Sequence, residues 1–267
     1  MFVMINVLTW NMRRSASDSK SWEVIRKVSP EICLLQEVGG IPNEILNEYQ
    51  IVQQKATNKN GIPQKFSTVI LSKEPLEQFR LKSSIEWVSN QLDFFSGNFL
   101  SASTIINYKK ISLISVYAPA WIVDTENIDH KDLKGIKLEL SKDVWPTEIL
   151  QNGLEHEKIS IENNWIISGD FNNSSTFDIL WPGGPKGCQE IIDRLYALNL
   201  KEALFEHHGK LVPTFRNPKG GKIIHQIDHV FLSEGLFANL NSSIVLDDIG
   251  VFEDSLSDHL PILTIIK

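Results

Sequence analysis

The sequence predicts an α+β fold in which two β-sheets pack face to face and helices cover their outer surfaces. Short apolar or β-rich segments recur along the whole chain and are separated by segments with helical periodicity. Several apolar segments end in polar or charged residues, so these side chains are expected to gather where the strands of both sheets end. No linker, repeat or low-complexity stretch divides the 267 residues, and we therefore predict one domain over 1–267.

The amino-terminal segments alternate between strand and helix signals. Residues 5–10 alternate in polarity and are rich in β-formers, which predicts a first strand ending at Asn11. Apolar residues at helical spacing predict a helix over 18–28, and Pro30 ends it. The apolar run 32–35 predicts a buried strand that delivers polar residues at its end.

The middle of the chain contains further strands and one long polar segment. A short helix is expected after Pro42, because proline suits the first turn of a helix. Strands are predicted over 66–72, 98–107 and 111–116, the second of them alternating and half-exposed. From 120 to 142 the composition becomes polar and mixed, which indicates a long excursion from the core.

The predicted site is organised around residues 165–173, which read W-I-I-S-G-D-F-N-N. The preceding helix is predicted over 147–154, with Thr147 as its N-cap. The apolar run 165–167 predicts a buried strand, and Gly169 is expected to let the chain turn sharply where that strand ends. The turn would place two polar side chains at the carboxyl end of the strand.

The carboxyl-terminal part begins with a turn-rich stretch after Asn173, which includes 181–185. Residues 189–198 have their apolar side chains on one side of a predicted amphipathic helix. The remaining strands are predicted over 212–215, 226–232 and 260–266.

Composition and charge limit the classes of function. Hydrophobic residues at 42% and charged residues at 22% are ordinary for a soluble globular protein with a core. The net charge of −7 argues against a non-enzymatic nucleic-acid binder, which would more often carry a basic stripe. A metal-dependent nuclease is compatible with this charge, because a cluster of metal-binding carboxylates is itself acidic.

The cysteines and the apolar runs predict a cytoplasmic protein. Cys33 lies in an apolar run and is expected to be a small core residue, and nothing indicates a disulfide framework. The first residues lack the basic region and cleavage site of a signal peptide. No apolar run approaches the ~18 residues of a membrane span, so we expect a cytoplasmic protein without a membrane partner.

Polar side chains end many of the predicted core strands. Each alone has a structural alternative: Asn11 as a turn former, Glu37 as the cap of the next helix, Tyr117 as a core aromatic, 257–259 as a polar turn. Together they have a common chemical explanation. The set comprises Asn11, Glu37, Tyr117, Asp170, Asn172, Asp228, Asp258 and His259.

This set suits phosphoryl transfer, which requires a cation, a base and neutral donors around one point. Glu37 is a hard oxygen ligand for a Mg²⁺ that keeps most of its waters, and Asn11 and Asp258 would add ligands or hold those waters. Asp170 can orient and deprotonate a water, while the Asn172 amide donates to a phosphoryl oxygen.

A histidine and a carboxylate complete the predicted machinery. Next to Asp228, His259 would have its tautomer fixed and its positive charge supported by the carboxylate. No serine elbow, cysteine nucleophile pair, Walker loop, dinucleotide fingerprint or zinc-spaced cluster in the sequence competes with this interpretation.

Ordered sequence blocks of the chain resemble the endonuclease/exonuclease/phosphatase superfamily. The blocks occur in that family's order and run from the first predicted strand to the last. They are T-W-N (9–11), L-L-Q-E-V (34–38), V-Y-A-P (116–119), S-G-D-F-N (168–172), P-T-F (213–215), Q-I-D-H-V-F (226–231) and S-D-H-L-P (257–261). The resemblance implies a four-layered α/β sandwich with two mainly antiparallel sheets, and a phosphoesterase that uses Mg²⁺ or Mn²⁺.

The resemblance also implies roles for individual residues. Glu37 matches the main metal ligand of the family, with Asn11 beside it. Tyr117 matches the position that contacts the scissile phosphate or its leaving oxygen. Asp170 matches the residue that activates the water, and Asn172 the residue that holds the phosphate.

The family's catalytic histidine corresponds to His259, its partner to Asp228 and the carboxylate before it to Asp258. Tyr117 is the residue seen in abasic-site repair enzymes of the family. The chain departs from those enzymes at 225–228, where it has H-Q-I-D and they usually have W-R-L-D or similar. The missing tryptophan would have helped to form an abasic pocket.

Three functions follow from these observations. The first is a Mg²⁺-dependent phosphodiesterase that acts on nucleic acid, most readily DNA, as a monomer. The second is a phosphatase or phosphodiesterase for a small or lipid-linked phosphate, which the acidic composition favours. The third is a binding protein that keeps the fold without turnover, against which the intact Glu37, Asp170 and His259 argue.

Residues at the predicted rim have two interpretations each. The basic ones can contact a nucleic-acid backbone or remain solvated loop cations; they are Arg13, Arg14, Lys219, Lys222 and His225. The aromatic ones can stack on bases or pack against the protein; they are Trp121 and Trp181.

Overall fold

The computed structural model describes residues 4–160, 162–180, 186–217 and 222–267. Trp181, the rest of the predicted turn segment 181–185 and Lys219 lie outside the described residues. The strands β1 to β14 are, in order, Ile5–Ser15, Ile32–Val38, Gln50–Thr57, Pro63–Ser72, Glu77–Phe79, Phe99–Ile106, Lys109–Tyr117, Asn164–Asp170, Leu200–Glu202, Phe215–Arg216, Ile223–His225, Asp228–Ser233, Leu240–Val245 and Ile262–Ile266. The helices α1 to α8 are Ser21–Val28, Asn43–Glu48, Glu86–Phe94, Pro146–His156, Ser175–Leu180, Cys188–Ala197, Ala203–His208 and Glu234–Phe237.

Two six-stranded sheets form the centre of the molecule. The first has the strand order β13-β14-β1-β2-β4-β3 and the second the order β5-β6-β7-β8-β12-β9, while β10 and β11 form a separate two-stranded ribbon. Strand β1 runs parallel to β2 and β7 runs parallel to β8, whereas the other pairs in these sheets are antiparallel. The prediction of two mainly antiparallel sheets is confirmed.

Alternation along the strands buries one face of each sheet against the other sheet. Side chains from both sheets share one apolar cluster, including Val7 and Leu34 from the first sheet and Leu113, Ile166 and Val230 from the second. Because neighbouring residues of a strand point to opposite faces, every second residue of these strands belongs to this inter-sheet layer.

Helices cover the two outer faces and complete four layers. On the first sheet, Trp22 of α1 and Ile45 of α2 pack with Leu8 of β1, which points away from the inter-sheet layer. On the second sheet, α3, α4 and α6 pack over β7 and β8; Leu150 of α4 and Ile167 of β8 belong to the same buried cluster. The predicted four-layered sandwich is confirmed.

The segment between β7 and α4 is the predicted polar excursion. Residues 118–145 form neither a helix nor a strand, yet Val123 and Ile136 are buried against the outer core. The backbone N–H of Val123 donates to the carbonyl of Val144 at 2.8 Å, and the Leu138 N–H donates to the Glu148 carboxylate at 3.1 Å. The excursion is therefore a packed cover for the second sheet.

Several predicted boundaries are wrong for local reasons. Strand β1 continues past Asn11 to Ser15, because a register shift lets Arg13 and Arg14 take positive φ angles inside the strand. Helix α1 begins only at Ser21, since the residues before it form turns. In α4, Thr147 is not the N-cap: the helix begins at Pro146 and Trp145 precedes it as the cap.

Other elements were missed or misassigned. The stretch after Asn173 contains helix α5, although its composition favours turns. The predicted strand over 212–215 is reduced to Phe215, because the backbone of Thr214 bonds to both His225 and Leu260 instead of one partner strand. Strand β3 and helix α3 carry mixed sequences without a clear period. No helix among the described residues is long and apolar enough to cross a membrane.

Candidate active site

The inter-sheet layer becomes polar at one end of the strands. On β8, Asp170 lies on the same face as the core residue Ile166, and on β1 Asn11 lies on the same face as Val7. Asp170 pairs across the strands with Asp228 of β12. The alternation that fills the core therefore also directs these polar side chains into the mouth between the two sheets.

Asp170 lies at the centre of this group. Its carboxylate accepts hydrogen bonds from Asn11 Nδ2 at 3.0 Å and from the backbone N–H of Asn172 at 2.9 Å. The side chain is 2% exposed. Burial raises the pKa of Asp170; the nearby His259 charge lowers it and the Asp228 charge raises it further. This environment favours a carboxylate that can take up a proton near neutral pH.

Gly169 does not form the sharp turn that the sequence predicts. It lies within β8, paired with Val116 of β7 and His229 of β12, and it has a φ of 142°. A Cβ atom added there would lie 2.1 Å from the Val116 carbonyl oxygen and 2.7 Å from Gln36 Nε2. Glycine is required because the backbone of Val116 and the side chain of Gln36 occupy the space that a Cβ atom would need.

His259 and Asp228 form the predicted pair. His259 Nδ1 lies 2.9 and 3.0 Å from the two carboxylate oxygens of Asp228, and both side chains are buried. His259 Nε2 points to the opposite side and lies 3.9 Å from Asp170 Oδ2. Burial alone would lower the pKa of His259, but the charges of Asp228 and Asp170 raise it to about 10. The ring is therefore an imidazolium at neutral pH, with Nε2–H directed at the mouth.

A shell of hydrogen bonds, which the sequence analysis did not identify, fixes this pair. The Thr214 hydroxyl donates to Asp228 Oδ2 at 2.7 Å and accepts from the Asp228 N–H at 3.2 Å. Trp10 Nε1 donates to the His259 carbonyl at 2.8 Å, and the Ser257 hydroxyl accepts from the His259 N–H at 3.1 Å. The only sequence signal for Thr214 was its place in the P-T-F block.

Glu37 lies across the mouth from the histidine. It has a φ of 52°, and the register between β2 and its neighbours shifts around it. Its Oε1 lies 3.4 Å from Asn11 Nδ2, and its Oε2 lies 3.6 Å from Nε of the largely exposed Arg14. A strained backbone at a partly buried carboxylate is typical of a functional position.

The side chains of Tyr117 and Asn172 flank Asp170. Tyr117 ends β7 beside Asp170; burial and then the charges of Glu37 and Asp170 raise its pKa, so the phenol stays neutral and can donate a hydrogen bond. Asn172 has a φ of 46°, and its Nδ2 donates to the Ala118 carbonyl at 2.8 Å and faces Asp170 Oδ2 at 3.3 Å. The Tyr117 phenol is thus a donor beside Glu37, whereas both N–H bonds of the Asn172 amide are directed at protein oxygens.

Asp258 is the most peripheral of the predicted residues. Its carboxylate lies 3.8 Å from Nε of Arg13, and its side chain is 19% exposed. Its charge contributes to the raised pKa of His259. The structure thus brings seven predicted residues to one mouth and leaves Asp258 at its edge, paired with an arginine.

The mouth fits the metal that the family fold implies. The carboxylates of Glu37 and Asp170 both converge on the neutral amide of Asn11, so a divalent cation with oxygen ligands would relieve their mutual repulsion. Asp170, Asp228 and His259 also have donor atoms within 4.8 Å of one another. There, however, the Asp228 oxygens are already bound by His259 and Thr214. The Glu37 side is therefore the better metal position.

The rim residues have different environments. The side chains of Arg13 and Arg14 are 47% and 70% exposed beside the mouth. Trp121 packs partly against the outer core, which favours the structural interpretation for this residue. Lys222 and His225 line a cavity next to Asn172. Both described cysteines are buried, as predicted for Cys33.

Comparisons with known proteins agree with this geometry. The sequence model described as "Endonuclease/Exonuclease/phosphatase family" matches residues 8–259. No curated protein sequence matches the chain.

Solved structures with the same fold include an AP endonuclease from Archaeoglobus fulgidus, with 14% identity, a TM-score of 0.68 and coverage of 98% of this chain and 99% of that chain. The catalytic domain of APE2 from Xenopus laevis has 16% identity and a TM-score of 0.66, with coverage of 98% of this chain and 92% of that chain. A third structure is the 3′ phosphatase NExo from Neisseria, bound to a product DNA hairpin. It has 15% identity and a TM-score of 0.63, with coverage of 98% of this chain and 99% of that chain.

The family match extends from Leu8 in the first strand to His259, and so it covers both sheets and the polar group between them. We conclude that the chain is a hydrolytic enzyme that belongs to the endonuclease/exonuclease/phosphatase family of phosphoesterases.

Proposed function

We propose that the protein is a Mg²⁺- or Mn²⁺-dependent phosphodiesterase that hydrolyses nucleic acid, with DNA as its substrate. The observation that carries the proposal is the mouth itself, where Asp170 and the His259–Asp228 pair face each other within 4 Å beside Glu37. A buried base, a fixed imidazolium and a partly buried carboxylate around one point suit phosphodiester hydrolysis.

Asp170 serves as the base or orienter of the attacking water. Two N–H donors, from Asn11 and the Asn172 backbone, hold its carboxylate in place, and burial raises its pKa toward the working range of a general base. A water between Asp170 and the phosphorus atom would be aligned opposite the leaving oxygen.

His259 stabilises the negative charge that develops on the phosphoryl oxygens. The Asp228 carboxylate keeps Nδ1–H occupied, so only Nε2–H is available to the substrate. The neutral Tyr117 phenol adds a donor from the other side. The Asn172 amide donates to the Ala118 carbonyl and to Asp170, and it would reach a phosphoryl oxygen by exchanging one of these bonds. Glu37 and Asn11 would hold the cation, which supplies Lewis-acid stabilisation of the same oxygens when it is bound.

A nucleic-acid substrate is supported by the rim and by the structural neighbours. Exposed Arg13 and Arg14 stand next to the mouth, although the chain as a whole has a net charge of −7. Each guanidinium faces a carboxylate, Asp258 at 3.8 Å and Glu37 at 3.6 Å, and its exposed side can also contact a phosphate of a nucleic-acid backbone. The neighbours include an AP endonuclease and a phosphatase bound to a DNA hairpin.

Nicking of supercoiled plasmid by the purified protein in Mg²⁺ tests this proposal. We expect nicking that disappears with a chelator and in Glu37→Ala and Asp170→Ala, while the control Asp93→Ala, an exposed carboxylate on α3, retains wild-type rates. Wild-type nicking by Glu37→Ala in the presence of metal would refute the assignment of the site.

A second candidate function is hydrolysis of a small or lipid-linked phosphate ester, which the acidic net charge favours. The salt dependence of duplex DNA binding separates the two. A nuclease predicts a steep loss of affinity with salt, because phosphate contacts release counterions, whereas a small-ester enzyme predicts a nearly flat response. Intact plasmid combined with metal-dependent turnover of a chromogenic phosphodiester would select the second candidate.

A further inference from the structure

A second buried histidine, His229, lies behind the segment 170–173, which we call the catalytic turn. His229 follows Asp228 in β12 and pairs with Gly169 of β8, so its side chain leaves the face of the sheet opposite to that of Asp228. Phe171 packs edge-on against its ring, with 5.5 Å between ring centres. His229 therefore faces the outer layer of the second sheet and cannot contact a substrate in the mouth.

The His229 ring donates a hydrogen bond to the backbone of the catalytic turn. Its Nε2 lies 3.0 Å from the carbonyl oxygen of Asn173, and a carbonyl can only accept, so Nε2 carries the hydrogen. This carbonyl lies three residues beyond the end of β8, where the pairing with β12 has stopped. The histidine thus supplies the bond that a neighbouring strand supplies elsewhere in the sheet.

Two side chains hold the His229 ring from the side of Nδ1. The Gln226 oxygen accepts the Val212 N–H at 2.8 Å, which turns Gln226 Nε2 towards His229 Nδ1 at 3.2 Å. Glu202 Oε1 lies 3.7 Å from the same ring nitrogen and accepts the Val230 N–H at 3.1 Å. Both partners are anchored to the backbone, so the ring is held in the orientation that directs Nε2 at the catalytic turn.

The catalytic turn carries two groups of the proposed mechanism. Asn172 has a φ of 46°, and its backbone N–H donates to Asp170 Oδ1 at 2.9 Å. A left-handed residue other than glycine persists only where the surrounding structure holds it. The bond from His229 to the next residue, Asn173, provides such a restraint. Without it, Asn172 would be free to relax and to withdraw its N–H from the Asp170 carboxylate.

We propose that His229 is a positioning residue for the hydrolytic reaction. Its Nε2–H holds the Asn173 carbonyl and thereby keeps the Asn172 N–H on the carboxylate of Asp170. The proposal rests on the proposed function, in which Asp170 is the base or orienter of the attacking water. It extends the machinery of the site through the second sheet to a side chain that the substrate does not reach.

Two substitutions at position 229 separate the hydrogen bond from the packing. His229→Phe keeps a ring against Phe171 but has no donor, whereas His229→Gln places an amide N–H near the position of Nε2. With a chromogenic phosphodiester in Mg²⁺, we expect His229→Phe to lower kcat about tenfold or more and to leave KM within about twofold, because a misplaced base slows the chemical step. His229→Gln should recover most of the lost kcat. Wild-type kcat in His229→Phe, or equal losses in the two variants, would overturn the proposal.

Phe231→Leu is the matched control for packing. Phe231 lies two residues further along β12 on the same face, with 5.8 Å between its ring centre and that of His229. We expect Phe231→Leu to lose stability against urea while its kcat stays at the wild-type value. A loss of kcat as large as that of His229→Phe would assign the effect to packing and contradict the positioning role.

Hydrogen exchange tests the same contact without turnover. The Asn172 N–H is bonded to Asp170 in the wild-type protein and should exchange slowly. Mass spectrometry of peptides that cover 170–174 should show exchange about tenfold or more faster in His229→Phe and unchanged in Phe231→Leu. Unchanged exchange in His229→Phe would overturn the proposal even if that variant were slow.

Failure of the proposed function gives a different result. No turnover by the wild-type protein, or wild-type turnover by Asp170→Ala, would refute the proposed function and with it the catalytic consequence of the His229 contact, whatever the exchange shows. An inactive Asp170→Ala beside a fully active His229→Phe would refute only the role of His229.

Discussion

At the scale of single residues, the strongest constraint is the pairing of His259 with Asp228. The carboxylate holds Nδ1 at 2.9 Å and, together with the charge of Asp170, raises the pKa of the imidazole to about 10, against the effect of burial. The positive charge on Nε2–H therefore depends on a partner that the substrate does not contact. Changing that partner should alter the protonation of the histidine before it alters anything else.

We predict that Asp228→Asn lowers kcat by at least about 100-fold and moves the alkaline limit of activity to lower pH. The sign follows from the charges: a raised pKa keeps His259 protonated up to high pH, and losing the carboxylate lets the proton leave earlier. A pH–rate profile of both proteins, with circular dichroism to confirm folding, measures this shift. An unchanged profile would show that Asp228 does not control the histidine.

Gly169 provides a second test at this scale, because its space is closed by backbone. We predict that Gly169→Ala costs at least about 2 kcal/mol of unfolding free energy and displaces the adjacent Asp170, with loss of activity. Gly209→Ala is the matched control, because its φ is also positive, at 65°, but nothing lies within 4 Å of the added Cβ. We expect this variant to lose about 1 kcal/mol of unfolding free energy and no activity. Urea denaturation of the three proteins gives the comparison, and equal costs for the two variants would contradict it.

Site residues such as Asp170 and Asp228 could be predicted because each lies at one end of an apolar strand: Asp170 ends β8, and Asp228 begins the antiparallel strand β12. The need for glycine at position 169 could not be predicted from the sequence. The atoms that exclude a side chain there belong to Val116 and Gln36, which are far away in the sequence. The hydrogen bond from Thr214 to Asp228 was missed for the same reason, because Thr214 lies in a segment without strand periodicity.

At the scale of elements, α4 and the excursion before it are joined by Glu148. This carboxylate is fully buried and accepts the N–H groups of Trp145 at 2.6 Å and Leu138 at 3.1 Å. Burial raises its pKa from 4.5 to about 7, although both hydrogen bonds act in the opposite direction. The link between the excursion and the helix is thus most stable when the carboxyl group is protonated.

We predict that the free energy of unfolding falls as pH rises from about 5 to about 8, with about 2 kcal/mol of the decrease due to Glu148. A group whose pKa is higher in the folded state than in the unfolded state stabilises the folded protein when it is protonated. For Glu148 this contribution is complete below pH 4.5, its pKa in the unfolded chain, and it is lost as the pH rises through about 7, its pKa in the folded protein. Urea titrations of wild type and Glu148→Gln at both pH values measure the effect. A glutamine variant with the same pH dependence as wild type would rule out this source.

Secondary structure could be predicted from the sequence where burial imposes a regular spacing on the apolar residues. The strands at 32–35, 111–116 and 165–167 lie inside β2, β7 and β8, whose alternate residues fill the inter-sheet layer. The prediction failed for α5, where Ser and Asp favour turns in isolation but Phe177 packs on Ile227 and Cys188. Tertiary contact outweighed local preference there. It also failed for β3, an edge strand without a regular apolar pattern.

At the scale of the whole molecule, the four layers place the site where both sheets end together. The first sheet supplies Asn11 and Glu37, and the second supplies Tyr117, Asp170 and Asp228. His259 precedes β14 of the first sheet, but the Asp228 carboxylate that holds its ring comes from the second sheet. The two halves of the site are therefore aligned by the core between the sheets, and a ligand that bridges them should stabilise the packing of the entire fold.

We predict that Mg²⁺ or Mn²⁺ raises the Tm of the protein without any substrate. A ligand that binds only the folded state adds about 2.7 kcal/mol when its concentration is 100 times its Kd, so the Tm should rise by several degrees as the ion is titrated. Glu37→Gln keeps the side-chain shape but removes the ligand charge, and its Tm should respond weakly. Glu23→Gln, an exposed position on α1, should respond as wild type does. Because this readout does not depend on turnover, a wild-type response in Glu37→Gln would move the ion to another set of residues, the Asp170, Asp228 and His259 group being the first to test.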